Sequence, residues 1–206
     1  MNKLFTINQV NYEIDNKKIL ENLNCEIEEG ITIINGPNGA GKTTFIKLLF
    51  GFMQPTSGNI TRHFNIKKNN ISFVFQEPIF LNRSVEENLE HVLYCKSFDK
   101  RSWKNIIIKS LDEYGLSHLL KSHIKSLSGG ELQMLSLIRS TIIDPGILFY
   151  DEPTNNLDES NIMLVKQIVT DYCNKGASII LVSHDDIIDD KKYKKISMNL
   201  GSINDA

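Results

Sequence analysis

The chain has 206 residues, 41% of them hydrophobic and 23% charged, with a net charge of −2. That is enough apolar material for one core, or one core with a small subdomain, and the charge balance gives no electrostatic footprint for nucleic acid or an anionic lipid surface. The three cysteines, Cys25, Cys95 and Cys173, form no CxxC pair, which excludes a disulfide framework or thiolate metal site and fits buried thiols in a reducing compartment.

In chain order, the opening residues MNKLFTINQVNYEI lack the apolar centre of a secretory signal. No run approaches the ~18 apolar residues that span a bilayer, so the expected location is cytoplasmic. KLFTI and KILENLNCEIEEG read as strands, and ITIIN is a short β-branched run. KTTFIKLLFG is a helix ending at Gly51, next to the turn cluster QPTSG, and ISFVF is a buried strand. The middle is helical. Ser84 and Glu87 have capping-box spacing before ENLEHVLYCK. SWKNIIIKSLDEYG closes at Gly115, and a third helix, from near Glu131, carries Leu135, Ile138 and Ile142 on one face. Strand and helix then alternate: GILFYD, a helix with Ile162, Val165, Ile168 and Tyr172 in one stripe, SIILVS, and a final hairpin in KKISMNLGSI. The pattern predicts an α/β fold, with core segments 1–81 and 144–206 and a helical insert at about 82–143.

Between the ITIIN strand and the helix after it lies GPNGAGKT, which fits G-x-x-x-x-G-K-[ST] without mismatch. Gly36, Gly39 and Gly41 let successive N–H groups converge on phosphate oxygens, and the helix N-terminus adds positive potential. Pro37, Asn38 and Ala40 complete the loop. Lys42 is placed to reach the β- and γ-phosphates, Thr43 to ligate Mg²⁺, and Thr44 to support the phosphates. At the end of GILFYD, Asp151 is placed to hold Mg²⁺ through water and Glu152 to polarise the attacking water. The segment NKGA lacks the aspartate that guanine recognition would require.

LSGGE, Leu127 to Glu131, resembles the signature of ABC-type ATPases, in which glutamate at the last place is a common variant. Ser128, Gly129 and Gly130 present a hydroxyl and bare N–H groups at a helix start. The resemblance covers nearly the whole chain. It implies a P-loop NTPase core with a mixed, mostly parallel sheet, an N-terminal antiparallel β subdomain and a helical signature subdomain. It further implies ATP and Mg²⁺ as ligands, and a head-to-tail homodimer, or heterodimer with another ABC ATPase, in which Ser128, Gly129, Gly130 and Glu131 contact the partner's ATP. Tyr12 resembles the aromatic that stacks on adenine, Gln76 the Q-loop glutamine contacting Mg²⁺ and water, Asn155 to Asp158 the D-loop, and His184 the switch histidine.

Two departures stand out. The D-loop reads NNLD rather than SALD, and Met134 stands where the family usually has arginine, with Gln133 and Arg139 kept.

The resemblance also implies work at the inner face of a cell membrane on integral permease subunits, received at Pro78, Ile79, Phe80 and Leu81, with a solute-binding protein if the system imports. The short chain and FVFQEPIFLNRSVEENL are similar to oxyanion importers of the tungstate type. Lipoprotein, haem or multidrug exporters, and non-transport ABC ATPases, are the alternatives. Translation-type members resemble two fused cassettes and DNA-repair members carry long heptad coils; this chain has one P-loop and no such coil. A P-loop kinase would leave LSGGE idle.

Overall fold

In a computed structural model, residues 2–64, 71–155, 157–183 and 193–204 are described. The chain opens with β1 (Lys3–Ile14) and β2 (Lys17–Glu28), paired antiparallel from Ile14↔Lys17 onward. Asp15 and Asn16 join them with φ of 49° and 61°, the left-handed pair that a tight two-residue hairpin requires and that Asp and Asn tolerate best. β3 (Ile31–Asn35) and α1 (Lys42–Phe50) follow, then β4 (Ser57–Arg62), which pairs with the other edge of β1 to give the order β2-β1-β4. Sequence reading ended this stretch in a turn and did not find β4; its polar SGNITR has no buried residue and so no apolar period.

The second sheet takes β5 (Ile71–Val74), β6 (Ile147–Asp151), β7 (Ser178–Val182), β8 (Tyr193–Asn199) and β9 (Ser202–Asn204) around β3, in the order β5-β6-β7-β3-β8-β9. All neighbours are parallel except the β8–β9 hairpin. Every residue of β6 and β7 is buried, as expected of short apolar strands covered on both faces. Alternate residues serve two cores. Leu148, Tyr150, Ile179 and Leu181 join one apolar cluster, whereas Ile147, Phe149, Ile180 and Val182 join another with α1 and the three-stranded sheet.

The remaining helices are α2 (Val85–Cys95), α3 (Lys100–Asp112), α4 (Gly129–Thr141) and α5 (Glu159–Asn174). The Ser84–Glu87 capping box forms, and Ser128 and Glu131 make a second one at the start of α4. Val165, Ile168 and Tyr172 of α5 are buried, with Ile162 half-buried at the stripe's end. The inserted helices have no core of their own: Leu89, Leu93, Ile107 and Leu111 pack in the same cluster as Leu135, Ile138 and the sheet residue Leu148. Cys95 is exposed, and Cys25 and Cys173 are half-buried, so burial of the thiols is incomplete.

One shared core predicts one cooperative transition. Leu93→Ala in α2 and Leu148→Ala in β6 should each lower the same single urea-unfolding midpoint, by about 2–5 kcal/mol for a fully buried leucine. Separate transitions for the two variants would mean that the helical insert unfolds independently.

Candidate functional site

The loop between β3 and α1 lies at the carboxyl ends of parallel strands, where open α/β sheets hold ligands. Its glycines are needed for two different reasons. At Gly36 a Cβ would sit 2.1 Å from the Met198 carbonyl oxygen of β8, so no side chain fits. Gly39 has open space around it, but its φ of +80° disfavours any L side chain. The loop and its neighbours form a cleft of about 970 Å³, at the upper end for small-molecule sites. Asn38, Gly39, Ala40, Gly41, Lys42, Thr43 and Thr44 line it from the loop side. Gly36 and Pro37 do not line it; their carbonyls accept from Lys42.

Lys42 is buried, its Nζ donating to Gly36 O at 2.8 Å and Pro37 O at 3.1 Å, and it lies 3.8 Å from Glu152 Oε1. At the end of β6, Asp151 is 1% exposed and its Oδ1 accepts from Thr43 Oγ1 at 3.0 Å. Burial raises the Asp151 carboxyl above its ordinary range; the Thr43 hydrogen bond opposes this, and the neighbouring Glu152 adds to it. Glu152 is held in the left-handed region, φ 49°, by its own N–H donating to Val182 O at 3.0 Å. Its Oε2 accepts from Gln76 Nε2 at 3.0 Å and from Asn155 Nδ2. Thus Lys42, Thr43, Gln76, Asp151 and Glu152 converge as the sequence grouped them. Thr43 and Asp151, a hydroxyl and a buried carboxylate in contact, suit a hard divalent cation whose other positions are filled by phosphate oxygens and water. Among the described residues no cluster of three or more His, Cys, Asp or Glu side chains offers a protein-only metal cage.

The signature residues lie elsewhere. Ser128 and Gly129 are exposed, Gly130 and Glu131 half-exposed, and none of them lines the cleft. The Ser128 hydroxyl donates to Glu131 Oε2 at 2.7 Å, and so does the Ser128 N–H; these bonds draw the Glu131 carboxyl below its usual range. Behind this tip, Gln133 of α4 is buried and donates to Pro153 O at 3.1 Å. Arg139 donates to Ile79 O at 2.6 Å and stacks over Phe80 at 4.3 Å. Met134, 1% exposed, packs in the core. Ile79 and Leu81 are exposed, whereas Pro78 and Phe80 are half-buried.

Tyr12 is not where the resemblance put it. It does not line the cleft; it packs against the cluster that holds Val10, and its hydroxyl donates to Met53 Sδ at 3.6 Å. Register shifts on both sides of Tyr12 break the period-two alternation from which a side chain's direction is read. His184 lies outside the described residues. Sequence reading missed Lys17, Lys18 and Ile19 beside the first hairpin and Leu200 and Gly201 in the last one; Asn155, expected in the D-loop, also lines the cleft. The hairpins meet because Gly201 donates to Ala40 O at 3.2 Å and accepts from Glu21 N at 2.8 Å; the sequence predicts the last hairpin but not its approach to the loop.

The family model for ABC transporters matches residues 20–155. The chain belongs to the ABC transporter ATPase family. This ABC ATPase is 37% identical over 171 residues to the zinc import ATP-binding protein ZnuC of Wigglesworthia glossinidia brevipalpis, covering 82% of this chain and 71% of that protein. It is 30% identical to the tungstate uptake system ATP-binding protein TupC of Peptoclostridium acidaminophilum, covering 87% and 86%. It is 32% identical to the energy-coupling factor transporter ATP-binding protein EcfA1 of Thermotoga maritima, covering 91% and 76%. A solved dimeric post-hydrolysis ATP-binding cassette bound to ADP and Pi superposes with a TM-score of 0.84 at 22% identity, over 98% of this chain and 97% of that one. The fold is therefore that of an ABC ATPase.

Two outcomes follow from the geometry. A buried carboxyl with a raised pKa favours its neutral form in the fold, so its contribution to stability is full below the unfolded-state value and lost as pH rises through the folded-state value. Asp151→Asn, which keeps the oxygen that accepts from Thr43, should therefore raise the melting temperature of the nucleotide-free protein at neutral pH by a few degrees, about 1 kcal/mol, while ATP hydrolysis is lost. An unchanged or lower melting temperature would contradict this. Tyr12→Ala should lower stability yet leave the Kd for a fluorescent ATP analogue within about two-fold, since its ring faces the core; a ten-fold loss would put the ring back on the nucleotide.

Proposed function

We propose that this ATPase is the motor subunit of a membrane importer, working by ATP-driven closure of two copies, or of one copy on a related ATPase. The observation that carries this reading is the separation of the two anion-binding elements. The P-loop cleft is open on one side, and the Ser128–Gly130 tip is exposed at the start of α4, outside that cleft. An exposed tip in which two glycine N–H groups open a helix suits the γ-phosphate of a nucleotide on a partner.

In the closed state the loop N–H groups and Lys42 hold the β- and γ-phosphates, and Lys42 exchanges its loop carbonyls for phosphate oxygens. Thr43 and Asp151, with Gln76 at the edge, would hold Mg²⁺, which supplies charge neutralisation on the phosphates. Glu152 accepts a proton from water as its oxygen bonds to the γ-phosphorus, the bond to the β-bridging oxygen breaks, and ADP and phosphate result. His184 belongs with this group as its γ-phosphate contact. Because the transition state is loose, the protein contributes position and field rather than covalent chemistry. ADP and phosphate, like-charged, then lose the bridge and the copies separate.

Among the described residues no helix is long and apolar enough to cross a membrane, so we place the subunit peripherally, on the cytoplasmic face, against separate permease subunits. Ile79 and Leu81, exposed on a segment that Arg139 anchors, suit a short apolar element of such a permease. We assign 82–143 as the arm that carries the signature toward the partner. Import is supported by the relatives, which include zinc, tungstate, molybdate/tungstate and spermidine/putrescine import proteins. The nearly end-to-end match to the tungstate protein favours an oxyanion delivered by a solute-binding protein.

Glu152→Gln, which binds ATP but cannot take the proton, should accumulate as an ATP-bound dimer by light scattering with Mg·ATP, and fall apart with ADP. A species that stays monomeric with Mg·ATP even when the permease is supplied would overturn the sandwich.

A further inference from the structure

Resting on the reading of Glu152 as the residue that takes the water's proton, we propose that Asn155 is a positioning residue for that carboxylate. The segment Glu152–Asn155 is a tight turn: Asn155 N–H donates to Glu152 O at 3.3 Å, with Pro153 and a buried Thr154 between. The Asn155 side chain closes the same turn a second time, its Nδ2 donating to Glu152 Oε2. Gln76 reaches that same oxygen at 3.0 Å from beyond β5. With two amides on Oε2, the carboxylate cannot rotate freely about its last side-chain bond, and Oε1 is turned to the Lys42 side, where Nζ lies 3.8 Å away. That is the side of the phosphate loop.

The two amides are not equivalent. Gln76 is exposed and sits on a segment remote in sequence, so its bond breaks whenever that segment shifts. Asn155 is three residues from Glu152 on a turn whose carbonyl at Pro153 is gripped by buried Gln133, so its backbone is held in register with the carboxylate it bonds. Asn155 is therefore the local clamp and Gln76 the remote one. A base within reach of water but misaimed loses much of its catalytic advantage, because in-line attack requires both distance and direction. In the SALD-like form of this segment the same place holds serine, whose shorter side chain lacks the amide.

The test is single-turnover hydrolysis with the full chain in excess over Mg·ATP, alongside the Kd of a fluorescent ATP analogue and the melting temperature. Asn155→Ala removes the donor, and Asn155→Asp keeps the shape but replaces the donor with an acceptor facing Glu152. We expect the rate of hydrolysis to fall about ten-fold in N155A and further in N155D, with the nucleotide Kd within two-fold in both. A purely structural role would lower the melting temperature and weaken nucleotide binding together with the rate. N155A and N155D hydrolysing within two-fold of wild type, while E152Q is inactive, would overturn the role of Asn155 alone. An E152Q variant as fast as wild type would overturn the assignment of Glu152 and this inference with it.

Discussion

A cation and two carboxylates buried at the ends of adjacent structural layers constrain the rest of the molecule. Lys42, Asp151 and Glu152 are all under a tenth exposed, and charges out of water cost several kcal/mol each unless they find partners. They find them in each other, in backbone and in polar side chains: the loop carbonyls for Lys42, the Thr43 hydroxyl for Asp151, and the Gln76 and Asn155 amides for Glu152. The arrangement is better suited to a triphosphate than to an empty cleft, because Lys42 is held by carbonyl oxygens that phosphate can replace, and a cation beside Asp151 would favour the charged form that burial disfavours. Stability is given up at this point so that a ligand can restore it.

The fold supplies that cluster from three directions. β3 delivers the loop, and β6, buried from end to end, delivers Asp151 and Glu152 at its carboxyl end. The β8–β9 hairpin approaches the loop so closely that Gly36 has no room for a Cβ beside Met198, and Gly201 is bonded to Ala40. The phosphate loop is thus packed against the last hairpin rather than standing free, which fixes its N–H groups before any ligand arrives.

The signature helix is tied to the same place by side chains. Gln133 grips the turn after Glu152, and Arg139 grips the segment after Gln76 while stacking on Phe80. Both lie on α4, whose first residue follows Ser128. A displacement of that tip therefore reaches Glu152 through Pro153 and reaches Gln76 through Ile79, along buried or stacked contacts. Met134, between the two polar residues, contributes packing to the shared core, so the arginine usual in the family is not needed to hold the helix.

What the sequence determined by itself is chemistry carried by short spacing. GPNGAGKT, the acids after ILFY, the capping box at Ser84 and the LSGGE tip are each local: their backbone geometry follows from a few residues, glycines at positive φ above all. Burial of β6, β7 and α5 was legible from apolar period alone. The tertiary structure decided whatever depends on chain brought from far away or on broken periodicity. Bulges around Tyr12 turned its ring to the core, where regular alternation could not have placed it. Lys17 to Ile19 and Leu200 came to the cleft because two hairpins distant in sequence meet over the loop, and β4 joined its sheet with no apolar pattern to announce it. Which oxygen of Glu152 faces Lys42 was likewise undecided until Gln76 and Asn155 closed on the other one, because the direction of a hydrogen bond is a property of three-dimensional contact and not of spacing along a chain.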